Sequence, residues 1–251
     1  MALSLRVLAL LAALTAGAAH AQDLRAVHRA AAASLVYVVV PGGSGSGFIA
    51  EVGGTRVVVT CEHVVGAANG RPYEVQYYDG TRDTATVAWV SRHVDLALLV
   101  PAHEGLTPPA LPLAGRDPVR GERVVLAGHP ALMQSGHEHG VLRFATSEGV
   151  VAGAVSEHDV PGASLQCGEG HNCVLLDAQS DRGSSGGPVL DVHGSVLGML
   201  WGGSDGTSFS IALHAATLHD ELVDATTALA PRPAAVTDVP PRFGPASRRR
   251  R

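Results

Sequence analysis

The sequence predicts an all-β chain built from two sets of short strands, with short helices only near its ends. Three observations carry that expectation. The 251 residues contain 30 Gly and 15 Pro but only 4% aromatics, which suits many turns between strands better than a helical bundle. Runs of β-branched residues recur between Gly, Pro or Asp turns, the pattern of short strands. Helical periodicity appears only at 23–33 and around 215–229.

The elements follow in order. LVYVVV (35–40), GFIAEV (47–52), RVVVT (56–60), YEVQYYD (73–79), TATVAWV (84–90) and DLALLV (95–100) form the first set. A Pro-rich stretch at 106–118 divides it from RVVLAG (123–128), EGVVAGAV (148–155), NCVLLDA (172–178), GPVLDV (187–192), SVLGML (195–200) and SFSIAL (208–213). Two groups of evenly spaced strands are the sequence image of a sandwich or a barrel pair, and no βα alternation competes with it. With 46% apolar residues the chain can bury a sizeable core.

The ends differ from the body. Arg6 precedes an apolar stretch at 7–19, and Ala19-His20-Ala21 offers the small residues that a signal peptidase reads. That stretch is short for a bilayer core of about 30 Å, so residues 1–21 are expected to be a cleaved signal peptide that leaves no stable membrane span. The expected compartment is the periplasm or the exterior. Residues 22–222 are expected to form the folded unit and 223–251 a disordered Pro/Arg-rich tail, whose composition shifts most sharply from Ala230.

Charge narrows the partners. Residues 22–222 hold 11 Arg against 21 Asp and Glu, a net of −10. An acidic body does not suit phosphate neutralisation, so nucleic acid is not expected as a partner. The Arg248 to Arg251 run reads as a solvated terminus. Of three cysteines, Cys167 and Cys173 enclose five residues, GEGHN; a disulfide there suits an oxidising compartment. His171 inside the loop admits a metal reading, for which no fourth ligand is evident. Cys61 is left as a free buried thiol.

The chemistry centres on Gly183-Ser184-Ser185-Gly186-Gly187. A serine hydroxyl needs a positioned base to act as a nucleophile, and the tetrahedral intermediate needs donors aimed at its oxyanion. Glycines flanking Ser185 let backbone N–H groups turn inward, so the N–H groups of Gly183 and Ser185 are the expected oxyanion hole. His63, just after the strand in VVVTCEHVV, is the expected base. Asp95, opening DLALLV, is the expected acid, because a carboxylate against an apolar run is costly unless paired. Asp79 and Asp83 compete for that role. The order His63, Asp95, Ser185 is that of chymotrypsin-type enzymes.

The string also fits G-x-S-x-G, the nucleophile elbow of α/β-hydrolases, with Asp205 and His214 or His219 downstream, but that frame needs strand–helix alternation. His137-Glu138-His139 lacks the H-E-x-x-H zinc spacing.

SGSGFIA (44–50), VVVTCEHVV (57–65), RVVLAGHP (123–130), SEGVVAGAV (147–155), VDLALL (94–99) and DAQSDRGSSGGPVL (177–190) resemble blocks of HtrA/Deg-type trypsin-like serine peptidases. The resemblance implies a chymotrypsin-like double β-barrel with the active site between the barrels, and peptide-bond hydrolysis in protein or peptide substrates without metal or cofactor. It departs from the family at Ser184, where an Asn is usual, in the longer segment 155–177, and in the expectation that no PDZ domain follows residue 222. By the same resemblance Gln179, Leu200, Trp201 and Gly202 are expected to shape the specificity pocket. Gln179 is not the acid that a basic side chain would require, so small or medium apolar residues are expected before the scissile bond. Two other functions remain open: a non-catalytic binding module on the same fold, and an esterase.

Overall fold

Runs such as Val57-Val58-Val59 and Leu96 to Leu99 are apolar at successive positions, so as strands they must be covered on both faces. A computed structural model describes residues 24–67, 69–130, 144–156, 167, 173–203 and 208–229, and in it those runs are buried on both sides. Helix α1 (Leu24–Ser34) leads into β1 (Leu35–Val40), β2 (Gly43–Val52) and β3 (Thr55–Thr60). A one-turn helix, α2 (Glu62–Val65), precedes β4 (Pro72–Tyr77), β5 (Arg82–Val90) and β6 (Ala97–Pro101). The second half holds β7 (Arg123–Gly128), β8 (Ala145–Val155), β9 (Cys173–Asp177), β10 (Pro188–Asp191), β11 (Val196–Gly203), β12 (Phe209–His214) and helix α3 (Ala215–Leu229).

The strands close into two antiparallel barrels, in the orders β1-β2-β3-β6-β5-β4 and β10-β11-β12-β9-β8-β7. The chymotrypsin-like double barrel implied by the resemblance is therefore the fold, and the antiparallel sheets leave an α/β-hydrolase elbow without its frame. Strand alternation explains the continuous apolar runs. Val58 points into the first barrel with Val36, Val38, Ile49 and Leu99. Its neighbours Val57 and Val59 join Leu96, Leu98, Val125, Leu190 and Met199 in a layer between the barrels, which α1 and α3 extend.

The Pro-rich stretch straps the two halves together. The Leu111 N–H donates to Ile49 O at 2.8 Å, the Ala114 N–H donates to Val196 O at 2.9 Å, and the Val196 N–H donates to Pro112 O at 2.8 Å. At the far end α3 runs through Leu229, with Leu222 and Ala225 buried against the inter-barrel layer. The boundary expected at 222 thus falls inside a helix, because the apolar face of 215–229 continues past it. Residues 1–21, where a signal peptide is expected, the 137–139 cluster, His171, Asp205 and residues 230–251 lie outside the described residues.

Candidate active site

β3 ends at Thr60, and the chain turns at once into α2, whose end is closed by the Gly66 N–H donating to Glu62 O at 2.6 Å. This places His63 at the mouth between the barrels, its side chain half exposed at 48%. Asp95 comes from the β5–β6 turn, two residues before β6 rather than at the strand's opening. The Ser91 hydroxyl accepts from the N–H groups of His93 and Val94, each at 3.0 Å, and holds that turn.

The carboxylate of Asp95 is only 3% exposed and both its oxygens serve His63. Oδ1 accepts the His63 backbone N–H at 2.8 Å, and Oδ2 accepts the ring Nδ1–H. The bond to Nδ1 leaves Nε2 as the basic nitrogen facing the cleft. The hydrogen bond to Asp95 raises the His63 pKa above its usual 6.5, with burial opposing. Neither competing aspartate takes this place: Asp83 binds His103 Nδ1 at 2.7 Å, and Asp79 caps the Thr81 N–H at 2.8 Å.

Ser185 lies in the loop between β9 and β10, which is pressed against the first barrel. Its carbonyl accepts the Ser46 N–H at 2.9 Å, and the Gly186 N–H donates to Leu200 O at 2.8 Å. Gly186 has φ +87°, and a Cβ there would meet Ser46 O at 2.1 Å; only glycine permits that approach. Gly183 also has positive φ, at 89°. The N–H groups of Ser184, Gly186 and Gly187 are bonded within the protein. Those of Gly183 and Ser185 find no acceptor among the described residues, the condition of donors held ready for a ligand oxygen. The Ser185 hydroxyl itself donates to Trp201 O at 3.1 Å; no bond from it to His63 occurs among the described residues. The two side chains line one cleft.

Sequence reading missed Ser46. Its hydroxyl donates to Gly183 O at 2.7 Å and accepts the His129 N–H at 2.8 Å, while Thr60 Oγ1 donates to Ser46 O at 2.7 Å. It ties the loop before Ser185 to both barrels. A serine within SGSG carries no signal of this; only the β2 register reveals it. Ser46→Ala should lower kcat roughly tenfold with little change in KM, a smaller loss than removing an oxyanion donor outright. Its stability should fall by about 1 kcal/mol. Steady-state kinetics and thermal melting check both.

Cys61 is fully buried and donates its thiol to Leu200 O at 3.4 Å. Burial first, then the Asp95 charge, pushes its pKa well above 9.0. Donor atoms of Cys61, His63 and Asp95 lie within 4.8 Å of one another, a grouping able to approach a metal. The bond from Nδ1 to Asp95 orients the imidazole, while the Cys61 thiol is turned to the Leu200 carbonyl.

Of the expected pocket residues, Gln179 and Leu200 line a cleft of about 590 Å³ behind the loop 181–184. Trp201 and Gly202 are not on its wall. Trp201 packs against Cys167, Cys173, Val155 and Ile211. Cys167 and Cys173 are joined as a disulfide, and Cys167 also pairs with Val94, next to Asp95. The disulfide thus clips the second barrel to the turn that carries Asp95. Cys167→Ser/Cys173→Ser should cost about 2 kcal/mol of stability and lower activity; an unchanged melting temperature and kcat would contradict this role.

The profile of the trypsin-like peptidase domain matches residues 45–199, which takes in His63, Asp95 and Ser185. The chain belongs to the trypsin-like peptidase domain family. Among relatives of this peptidase domain, mouse serine protease HTRA4 is 31% identical over 161 residues, covering 64% of this chain and 30% of that protein. The serine protease Do-like HtrA of Bacillus subtilis (strain 168) is 31% identical over 159 residues, 62% of this chain and 33% of that protein. The trypsin-like chain therefore spans about a third of the length of these curated relatives. Among solved structures, the active form of the Rv3671c protease from M. tuberculosis superposes with a TM-score of 0.60 at 26% identity, over 78% of this chain and 82% of that one. An inactive form of the same protease gives 0.61 at 26% identity, over 79% and 91%.

Proposed function

We propose that this trypsin-like domain is a serine endopeptidase in which Ser185, His63 and Asp95 act as the catalytic triad. The observation that carries the reading is the buried Asp95 carboxylate bonded to both the backbone and the ring of His63, whose side chain lines the same cleft as Ser185. Rotation about the Cα–Cβ bond of Ser185 exchanges the Trp201 carbonyl for Nε2 of His63. Oγ then attacks the scissile carbonyl carbon while Nε2 takes its proton.

The oxyanion that forms accepts from the N–H groups of Gly183 and Ser185. Collapse breaks the C–N bond, and the leaving amine takes the proton from His63. Water, deprotonated by His63, releases the acyl group and restores Ser185. Asp95 keeps its charge throughout and stabilises the imidazolium. The substrates are proteins or peptides, and the acyl side of the chain enters the cleft lined by Gln179 and Leu200, which favours small or medium apolar residues.

The disulfide suits an exported protein, periplasmic or secreted, since such bonds persist in oxidising compartments. Among the described residues no helix is long and apolar enough to cross a membrane.

Digestion of an unfolded protein, with the new termini read by mass spectrometry, tests the function. Discrete internal cleavages are expected. Turnover of esters without peptides would make the chain an esterase, and turnover of neither would make it a binding module.

A further inference from the structure

The cleft that holds His63 and Ser185 has a volume of about 530 Å³ and is bounded by the 41–43 turn, Arg71, Tyr73 and Arg182. None of Gln179, Leu200, Trp201 or Gly202 lines it. It lies on the His63 side of the nucleophile, away from β11 and from the cleft behind the loop 181–184. We propose that it receives the leaving-group half of the substrate, and that Arg71 and Arg182 select acidic side chains at the first two positions after the scissile bond. The proposal rests on the endopeptidase reading and deepens it.

The side follows from the chemistry. The leaving amine takes its proton from His63, so the chain beyond the bond departs across the wall that His63 forms. The charge follows from the lining. Its ionisable groups are Arg71, Arg182, His63 and the Tyr73 phenol, with no Asp or Glu among them. Glu62 and Asp181, their neighbours in sequence, do not line it; Asp181 binds the Arg182 N–H at 2.7 Å and faces the other cleft. Neither Arg71 nor Arg182 forms an ion pair among the described residues, although the body of the chain is acidic.

Arg71 is also held in place. Its carbonyl accepts the Val87 N–H at 3.0 Å, and its guanidinium lies 5.1 Å from the centroid of the Tyr73 ring. The Tyr73 hydroxyl is in turn anchored on Val65 O. A guanidinium stacked on an aromatic face keeps its N–H edge free for a carboxylate, which it can grip through two parallel bonds. Arg182 precedes Gly183, so an acidic side chain bound to it would sit beside the oxyanion loop.

The test uses internally quenched peptides identical on the acyl side, with Asp-Glu or Asn-Gln after the scissile bond. Within each enzyme the readout is the ratio of kcat/KM for the two, so a general loss of activity or folding cancels. The wild type should prefer the acidic peptide by about fivefold to tenfold at low salt, the scale of two exposed charge pairs. The preference should shrink at about 0.5 M NaCl. Arg71→Gln and Arg182→Gln should each reduce the ratio, and the Arg71→Glu/Arg182→Glu pair should invert it. A wild-type ratio near one, or a preference that neither variant moves, would overturn the proposal.

A chromogenic anilide, which has no residue after its scissile bond, reports the endopeptidase reading separately. Should the wild type turn over neither anilide nor peptide, that reading fails. Fluorescence anisotropy with labelled Asp-Glu and Asn-Gln tetrapeptides then decides the inference alone. Tighter binding of the acidic peptide, lost in the Arg71→Glu/Arg182→Glu variant, supports it, and equal binding overturns it.

Discussion

Ser185→Ala should lower kcat by about 10⁶-fold, because members of a triad act as a unit and loss of the nucleophile alone removes nearly all of their effect. Residual turnover, if detectable, should remain about 10³-fold above the uncatalysed rate, supported by the N–H groups of Gly183 and Ser185, which the substitution leaves in place. Stability should change by only about 1 kcal/mol, since the hydroxyl makes a single bond, to Trp201 O. Loss of activity with a retained melting temperature separates a catalytic role from a structural one. KM should move little, because Oγ contributes to the transition state rather than to ground-state binding.

Asp95→Asn should reduce kcat by about 10⁴-fold. The amide cannot hold Nδ1–H as a charged acceptor does, so the ring is free to present the wrong tautomer to Ser185. The same change has a pH signature. His63 must be neutral to act as a base, and its pKa is raised above 6.5 mainly by the bond to Asp95. Wild-type kcat/KM should therefore climb with pH through a midpoint above 6.5. In Asp95→Asn that rise should move to lower pH, because both the bond and the charge that favour imidazolium are gone. Stability follows the same linkage. The protonated His63–Asp95 pair adds stability below the unfolded-state pKa of the imidazole, and that contribution is lost as pH rises through the higher folded-state value. Rate profiles and melting temperatures across pH check both.

Much of this architecture is legible in the sequence, for a definite reason. Barrel strands packed on both faces produce unbroken apolar runs such as LVYVVV and DLALLV, so strand existence is plain even where alternation is not. Boundaries are less so. β2 begins at Gly43 rather than Gly47: the string Gly-Ser-Gly-Ser resembles a turn, yet its residues pair with Tyr37 to Val40 of β1. A Cβ at Gly47 would meet Val59 O at 2.7 Å, so the glycine marks close strand approach rather than a bend.

α2 was hidden inside VVVTCEHVV, which has strand composition throughout; the turn arises because Asp95 Oδ1 takes the His63 N–H out of any ladder. His63, Asp95 and Ser185 were visible through their order and their flanking strings. Ser46, Arg71 and Arg182 were not, because their significance depends on register and on which side of the nucleophile they fall. The disulfide was readable from spacing, but its pairing with Val94 and its packing on Trp201 were not.

The most direct measurement is covalent labelling by a fluorophosphonate, followed by mass spectrometric location of the adduct. The account predicts stoichiometric phosphonylation at Ser185, faster as His63 deprotonates and absent when that side chain is alanine. An unlabelled wild-type protein that is folded, or an adduct at any other residue, would contradict it.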